Sequence, residues 1–106
     1  MKQNVLVTGL GVVSSIGIGK NVFWKNLLQG RSGIRPIRLF DTGGQRVSRA
    51  GEIRRFDPER FKLSDARQGR ITQLLIAATD LALADARLDL AGKSGDTVAG
   101  MACGSS

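Results

Sequence analysis

The stretch Val5-Leu6-Val7-Thr8-Gly9-Leu10-Gly11-Val12-Val13-Ser14 decides how the rest of the chain is read. It is almost continuously apolar and rich in β-branched residues, broken only by Thr8, Gly9 and Gly11. Such a run is expected to be a strand covered on both faces, as in the interior of a parallel sheet. Glycines weaken a strand, so their presence implies that something packs very closely against Gly9 and Gly11. A helical segment follows within about ten residues, and a strand feeding a helix is the first half of a βαβ unit.

Outward from that stretch, Ser14 to Gly19 reads as a loop eased by Gly17 and Gly19. Asn21 is placed to cap a helix through Val22–Leu28 that stops at Gly30. Phe23, Trp24, Leu27 and Leu28 fall on one side of it, and the aromatics are expected in the core. Residues 31–64 show little periodicity. Arg31-Ser32-Gly33 and Asp41-Thr42-Gly43-Gly44 are turn signals, with strand-like pieces at Ile34–Phe40 and Val47–Ile53. Asp57-Pro58-Glu59 starts a brief helix ending near Phe61, with Asp57 as cap and Pro58 in the first turn.

The strongest helix signal runs from Asp65 to Arg87, capped by Ser64 or Asp65 with Gln68 as the capping-box partner. Ile71, Leu74, Leu75, Ala78, Leu81, Ala82 and Asp85 form one stripe, and Ile76, Ala77, Leu83 and Ala84 add apolar surface beside it. A helix this apolar around its circumference is expected to be buried on more than one side, with part of the cover supplied by further chain or by a partner subunit. Leu88 to Asp96 reads as a loop, Thr97 to Ala102 as a second short strand and Cys103 to Ser106 as its turn.

The bulk numbers set limits. A chain of 106 residues is one domain at most, and 42% hydrophobic content is ordinary for a globular protein. Its apolar runs are too short to cross a bilayer, and its start is not a secretory signal, so a cytoplasmic location is expected. The single Cys excludes an internal disulfide, and the absence of His removes the commonest metal ligand and general base. The net charge of +7 is uneven: residues 31–70 hold eleven basic and five acidic groups, residues 71–106 only two and four. A positive field in the middle of the chain suits nucleic acid, an acidic protein or a phosphate-bearing ligand, or is simply a solvated loop surface. No RNA-binding aromatic motif, zinc-finger spacing or helix-turn-helix pattern supports nucleic acid.

Candidate chemistry is sparse. Gly9-Leu10-Gly11 lacks the third glycine of a dinucleotide fingerprint, since position 14 is Ser, and residues 27–33 lack its acidic residue. Close packing explains the pair better. No Gly-Lys-Ser/Thr is placed to make a P-loop. Cys103 follows an expected strand, where a helix dipole can stabilise a thiolate, but no His is available as base and a lone Cys is commonly an inert core residue. Neither a carboxylate pair nor a metal cluster stands out. No catalytic, cofactor-binding or metal-binding residue is therefore assigned, and no cofactor is expected.

Several motifs in order carry more than composition does. They are Val5 to Ser14, Phe23-Trp24 to Leu28, Gly30-Arg31-Ser32-Gly33-Ile34, Phe40-Asp41, Ala50-Gly51-Glu52-Ile53, Phe56-Asp57-Pro58-Glu59, Arg70-Ile71-Thr72-Gln73 and Ala82-Leu83-Ala84-Asp85-Ala86. On these the chain resembles the N-terminal part of a β-ketoacyl-[acyl-carrier-protein] synthase of the synthase II type, across essentially its whole length. The resemblance implies an α/β fold, the N-terminal fragment of a thiolase-like layered α/β/α/β/α architecture, with residues 1–106 an incomplete portion of the N-terminal domain. It also implies decarboxylative Claisen condensation of an enzyme-bound acyl group with malonyl-ACP, in fatty-acid or polyketide synthesis.

The implied partners are an acyl carrier protein bearing acyl and malonyl groups and a second copy in a homodimer, with neither nucleic acid nor membrane. The family's nucleophilic Cys and catalytic His match no residue here in register, so the fragment alone is expected to be inactive. Cys103 looks superficially like the nucleophile's surroundings, but in register it falls at the end of the next strand and is read as structural. Gly69, Ile71 and Arg87 depart from the family pattern, Arg87 standing where a glycine normally stops the helix. A non-catalytic chain-length-factor-like subunit, a free-standing basic binding module and a reactive Cys103 are the rival readings.

Overall fold

The computed structural model describes residues 2–63, 68–91 and 99–104. Its elements are β1 (Val13–Ser14), β2 (Gly17–Ile18), α1 (Lys20–Leu28), β3 (Arg35–Pro36), β4 (Arg49–Ala50), a 3-10 turn (Glu59–Phe61) and α2 (Arg70–Ala86).

The N-terminal stretch corrects the first expectation. Residues 3–12 are extended without belonging to a strand, and Val5 is 94% exposed, with Leu6 and Val7 in the open beside it. Only Val13 and Ser14 pair, antiparallel with β2 in the register Val13↔Ile18 and Ser14↔Gly17. The physical reason is partnership: a strand satisfies its N–H and C=O groups on a neighbouring strand, and none of the described segments pairs with residues 3–12. The expected loop at Ser14–Gly19 is instead this tight hairpin, fastened by Ser14 Oγ donating to the Gly17 carbonyl at 3.0 Å. Both sheets among the described residues are two-stranded and antiparallel, so the βαβ start is not formed there.

The inference from the glycines holds. A Cβ on Gly9 would lie 2.6 Å from Ala86 N and 2.7 Å from Ala86 Cβ, and one on Gly11 would lie 2.6 Å from Ala82 N. The backbone of residues 9–11 therefore rests directly on α2, along its stripe of Ala78, Ala82 and Ala86. Small residues on one side and none on the other permit this approach.

Helix α1 begins one turn-residue earlier than its expected cap: Gly19, with φ 89°, takes the N-cap position and Asn21 lies inside the helix. Its end is as expected. Gly30 adopts φ 64°, its N–H donates to Leu27 O, and the Arg31 N–H reaches back to Asn26 O. That double bond pattern caps orphan carbonyls and favours glycine in the left-handed position. Trp24, expected in the core, is 58% exposed, while Phe23 is half-buried.

The strand-like pieces shrink to β3 and β4, paired antiparallel with Arg35 opposite Ala50 and Pro36 opposite Arg49, and extended by Ile37 N–H donating to Ser48 O at 2.8 Å. The turn between them is the Asp41–Gly44 signal, where Asp41 Oδ1 accepts from Gly43 N–H at 2.9 Å. At the 3-10 turn Pro58, not the expected Asp57, takes the N-cap position; Asp57 stands one residue before it and accepts the Glu59 N–H on Oδ1 at 3.0 Å. The Phe56 and Phe61 rings stack there with centroids 5.7 Å apart.

Helix α2 is the longest element, at 17 residues. The Ser64 and Asp65 caps expected for it lie outside the described residues; Gln68 precedes the helix, and Gly69 is its N-cap residue without a side-chain cap bond. Ala77, expected beside the main stripe, is its one fully buried residue, whereas Ile71 is 70% exposed and Leu75 is exposed too. Arg87 ends the helix in the left-handed region at φ 55°, with Leu88 N–H donating to Leu83 O. Of the second expected strand, Thr97 and Val98 lie outside the described residues and residues 99–104 have no regular structure. Among the described residues only Leu63 and Ala77 are buried apolar side chains.

Candidate functional site

Part of the basic middle of the chain lines one groove. A groove of about 610 Å³ opens between the β1–β2 hairpin, the start of the Arg31–Arg38 segment and residues 52–60. Arg31, Arg35, Arg38, Arg54, Arg55 and Arg60 line it, together with Ser14, Ser15, Asn26 and Ser32; Ile16, Ile18, Val22 and Ile53 make an aliphatic wall. The hairpin is held against α1 by Asn26 Nδ2 donating to the Ile16 carbonyl. The β3–β4 pair delivers Arg35 and Arg38 from one side, and the chain leaving β4 delivers Arg54 and Arg55 from the other.

Glu52 is the single acid in the lining, and its charge is already engaged. Its carboxylate accepts the backbone N–H groups of Leu39 at 2.9 Å and Arg38 at 2.9 and 3.0 Å, and the Nε of Arg54 at 3.2 Å. The Leu39 N–H holds its pKa below the usual Glu range; burial of the side chain, which is 6% exposed, opposes this, and the Arg38 N–H and Arg54 guanidinium add to the lowering. Arg54 also donates to the Pro36 carbonyl, so the carboxylate and its arginine tie β3 to the segment after β4. Arg60 lies over the Phe61 ring with its guanidinium carbon 5.5 Å from the centroid.

A second polar knot joins the N-terminal stretch to both helices. Asp85, on α2, accepts the Leu10 N–H at 3.0 Å on one oxygen and pairs with Lys20 Nζ at 2.6 Å on the other. The Lys20 ammonium, then the Leu10 N–H, keep the Asp85 carboxyl below the usual Asp range. Asp85 stood within the apolar stripe in the sequence. A carboxylate on a packing face is the signal that it has a partner, although the sequence does not say which one.

The lone Cys103 is exposed, on chain without regular structure. Gly9 and Gly11 lie against α2, in keeping with a packing role. No helix among the described residues is long and apolar enough to cross a membrane. The groove gathers six arginines with several hydroxyls, a lining whose guanidinium forks are chemically suited to an anion.

Comparison with known proteins places these features. The model of the beta-ketoacyl synthase N-terminal domain matches residues 2–106. The 3-oxoacyl-[acyl-carrier-protein] synthase 2 of Synechocystis sp. is 36% identical over 89 residues, covering 82% of this chain and 21% of that protein. The enzyme of the same name from Staphylococcus aureus strain N315 is 38% identical over 102 residues, covering 92% of this chain and 25% of that protein. Among solved structures, the ishigamide ketosynthase/chain length factor superposes with a TM-score of 0.71 at 41% identity, covering 78% of this chain and 21% of the other. The chain thus spans about a fifth to a quarter of the length of these relatives. With a match that takes in the glycine-on-helix contact, the hairpin and both helices, the chain belongs to the beta-ketoacyl synthase N-terminal domain family.

Proposed function

We propose that residues 1–106 form the first portion of the N-terminal domain of a β-ketoacyl-ACP synthase. The observation that carries this is the family match over residues 2–106. The exposed Val5–Val7 stretch and the uncovered Ile71 and Leu75 of α2 support it, because each is suited to a strand or helix of a larger layered α/β/α/β/α thiolase-like body. On this reading Val5 to Ser14 becomes a central strand once its neighbours are present.

The reaction is condensation. An acyl group moves from acyl carrier protein to a cysteine, releasing the carrier thiol. Malonyl-ACP then loses carbon dioxide, and the resulting carbanion attacks the acyl thioester, expelling the cysteine thiolate and leaving a β-ketoacyl-ACP. The nucleophile and its histidine partners belong to sequence other than residues 1–106, and Cys103 plays no part. The protein works in the cytoplasm as a homodimer in fatty-acid or polyketide synthesis, with acyl carrier protein as its partner.

The test uses the full-length protein with acyl-ACP and malonyl-ACP, and mass spectrometry of the carrier. A β-ketoacyl-ACP product is expected; a protein that neither becomes acylated nor consumes malonyl-ACP would sink the reading. In that assay Cys103→Ala is expected to retain acyl transfer. Loss of transfer, together with rapid iodoacetamide labelling of Cys103, would show the cysteine to be the nucleophile. A second reading, a non-catalytic chain-length-factor-like subunit, draws on the solved relative, whose name pairs a ketosynthase with a chain length factor. It predicts condensation only when a partner subunit is added, with the acyl group on the partner.

A further inference from the structure

The arginine-lined groove has no role in the condensation described above. We propose that it binds a small organic polyphosphate, a molecule carrying at least two linked phosphates on a largely apolar body. Its volume of about 610 Å³ lies inside the ~300–1,000 Å³ typical of small-molecule sites. Among the described residues the acidic groups within ion-pair distance of a cation are Glu52 and Asp85, and Glu52 pairs with Arg54. Arg35, Arg38 and Arg55 therefore line the groove with no carboxylate among the described residues in ion-pair contact with them.

Like charges lining one groove repel, and a bound polyanion reverses the sign of that interaction. Each planar fork matches a phosphate edge through two parallel N–H donors. The floor is shaped for close approach. A Cβ on Gly51 would lie 3.1 Å from Ser15 Oγ and one on Gly33 would lie 2.6 Å from Ser15 Cβ, so the two glycines let the chain segments beside the groove close tightly on the Ser15 side chain. The aliphatic wall of Ile16, Ile18 and Val22 gives the ligand's body an apolar surface to lie on. Among the described residues no aromatic side chain lines the groove, so they offer no stacking platform of the kind a single-stranded nucleic acid uses.

The experiment is calorimetric titration of the full-length protein with inorganic pyrophosphate, orthophosphate and ADP, at low and physiological salt. Saturable one-to-one binding is expected for pyrophosphate and ADP, tighter than for orthophosphate and weakened by salt. The double variant Arg38→Ala/Arg55→Ala is expected to bind at least about tenfold more weakly, since each charge-assisted bond it removes is a strong one. Arg46→Ala, an exposed arginine outside the groove, is expected to bind as the parent does. The charge-preserving Arg38→Lys/Arg55→Lys variant removes the forks but not the field, and an intermediate loss is expected from it; this arm still reports if the alanine variant does not fold. Absence of saturable binding, equal weakening by Arg46→Ala, or no preference for pyrophosphate over orthophosphate would overturn the proposal. Condensation measured on the same preparation reports separately on the synthase reading.

Discussion

A methyl group at position 11 has nowhere to go. Its carbon would press on the Ala78 carbonyl and lie 2.6 Å from Ala82 N, both backbone atoms of a helix that cannot swing aside as a side chain would. Gly11→Ala should therefore destabilise the full-length protein by about 1–3 kcal/mol, the usual cost of overpacking, read as a lower denaturant midpoint. Unchanged stability would mean that residues 9–11 do not rest on α2. Arg87 makes the opposite case. It holds φ 55° where a glycine would hold it without a Cβ penalty. Arg87→Gly should raise stability, by less than about 1 kcal/mol because glycine also loosens the unfolded chain. A lowered Tm would show that the Arg87 side chain does more than end a helix. Both positions were legible in the sequence, since a glycine within a strand and a missing glycine after a helix each make a local demand on the backbone. What the sequence did not show was the partner surface, because Ala78 and Ala82 were only part of a broad apolar stripe and Ala86 lay outside it.

Among the elements, the helices were easier to read than the strands, and the reason is where their hydrogen bonds go. Helices α1 and α2 satisfy themselves within their own segments and close with the same backward bonds at Gly30 and Arg87. A strand depends on a neighbour that the local sequence does not name, so Val5–Ser14 looked stronger than the two residues that pair. The joints between elements are carboxylates, and they set an acid dependence. The Asp85 pKa is lowered in the folded protein, so its stabilisation is complete above the unfolded value and is lost as pH falls through the lowered folded one; Glu52 has the same sign. Stability of the full-length protein should therefore drop on the acid side of the usual carboxylate range. Asp85→Asn should be less stable at neutral pH and show a shallower drop. If the variant's acid limb superimposes on the parent's, Asp85 does not fasten Leu10 and Lys20 to α2. The groove, by contrast, was legible only as a charge excess: its arginines are spread over thirty residues without period, and they meet through the β3–β4 pairing and the segments that flank it.

The dimensions of the whole molecule decide how it stands by itself. A compact domain of this length has a radius of gyration of about 13 Å, whereas these Cα atoms give 17.2 Å over extents of 57 × 36 × 25 Å. A compact monomer of this mass exposes about 5,700 Å², and this chain exposes 9142 Å². The excess is not spread evenly. It includes Val5–Val7, Trp24 and Leu28 of α1, Leu39, Phe40 and Val47 around the β3–β4 turn, and Ile71 and Leu75 of α2. Apolar surface left in water gives up roughly 25 cal/mol per Å², and two buried apolar side chains among the described residues do not offset the entropy of ordering the backbone. The apolar circumference of α2 announced this from the sequence, since a helix greasy on several sides needs more than one neighbour. Residues 1–106 expressed alone should accordingly bind the dye ANS strongly and melt without a cooperative transition, while the same residues within the full-length protein should be protected from hydrogen exchange along α2. A sharp, concentration-independent melt of the isolated segment, with little dye binding, would show instead that these residues make their own core and that the covering layers are not required.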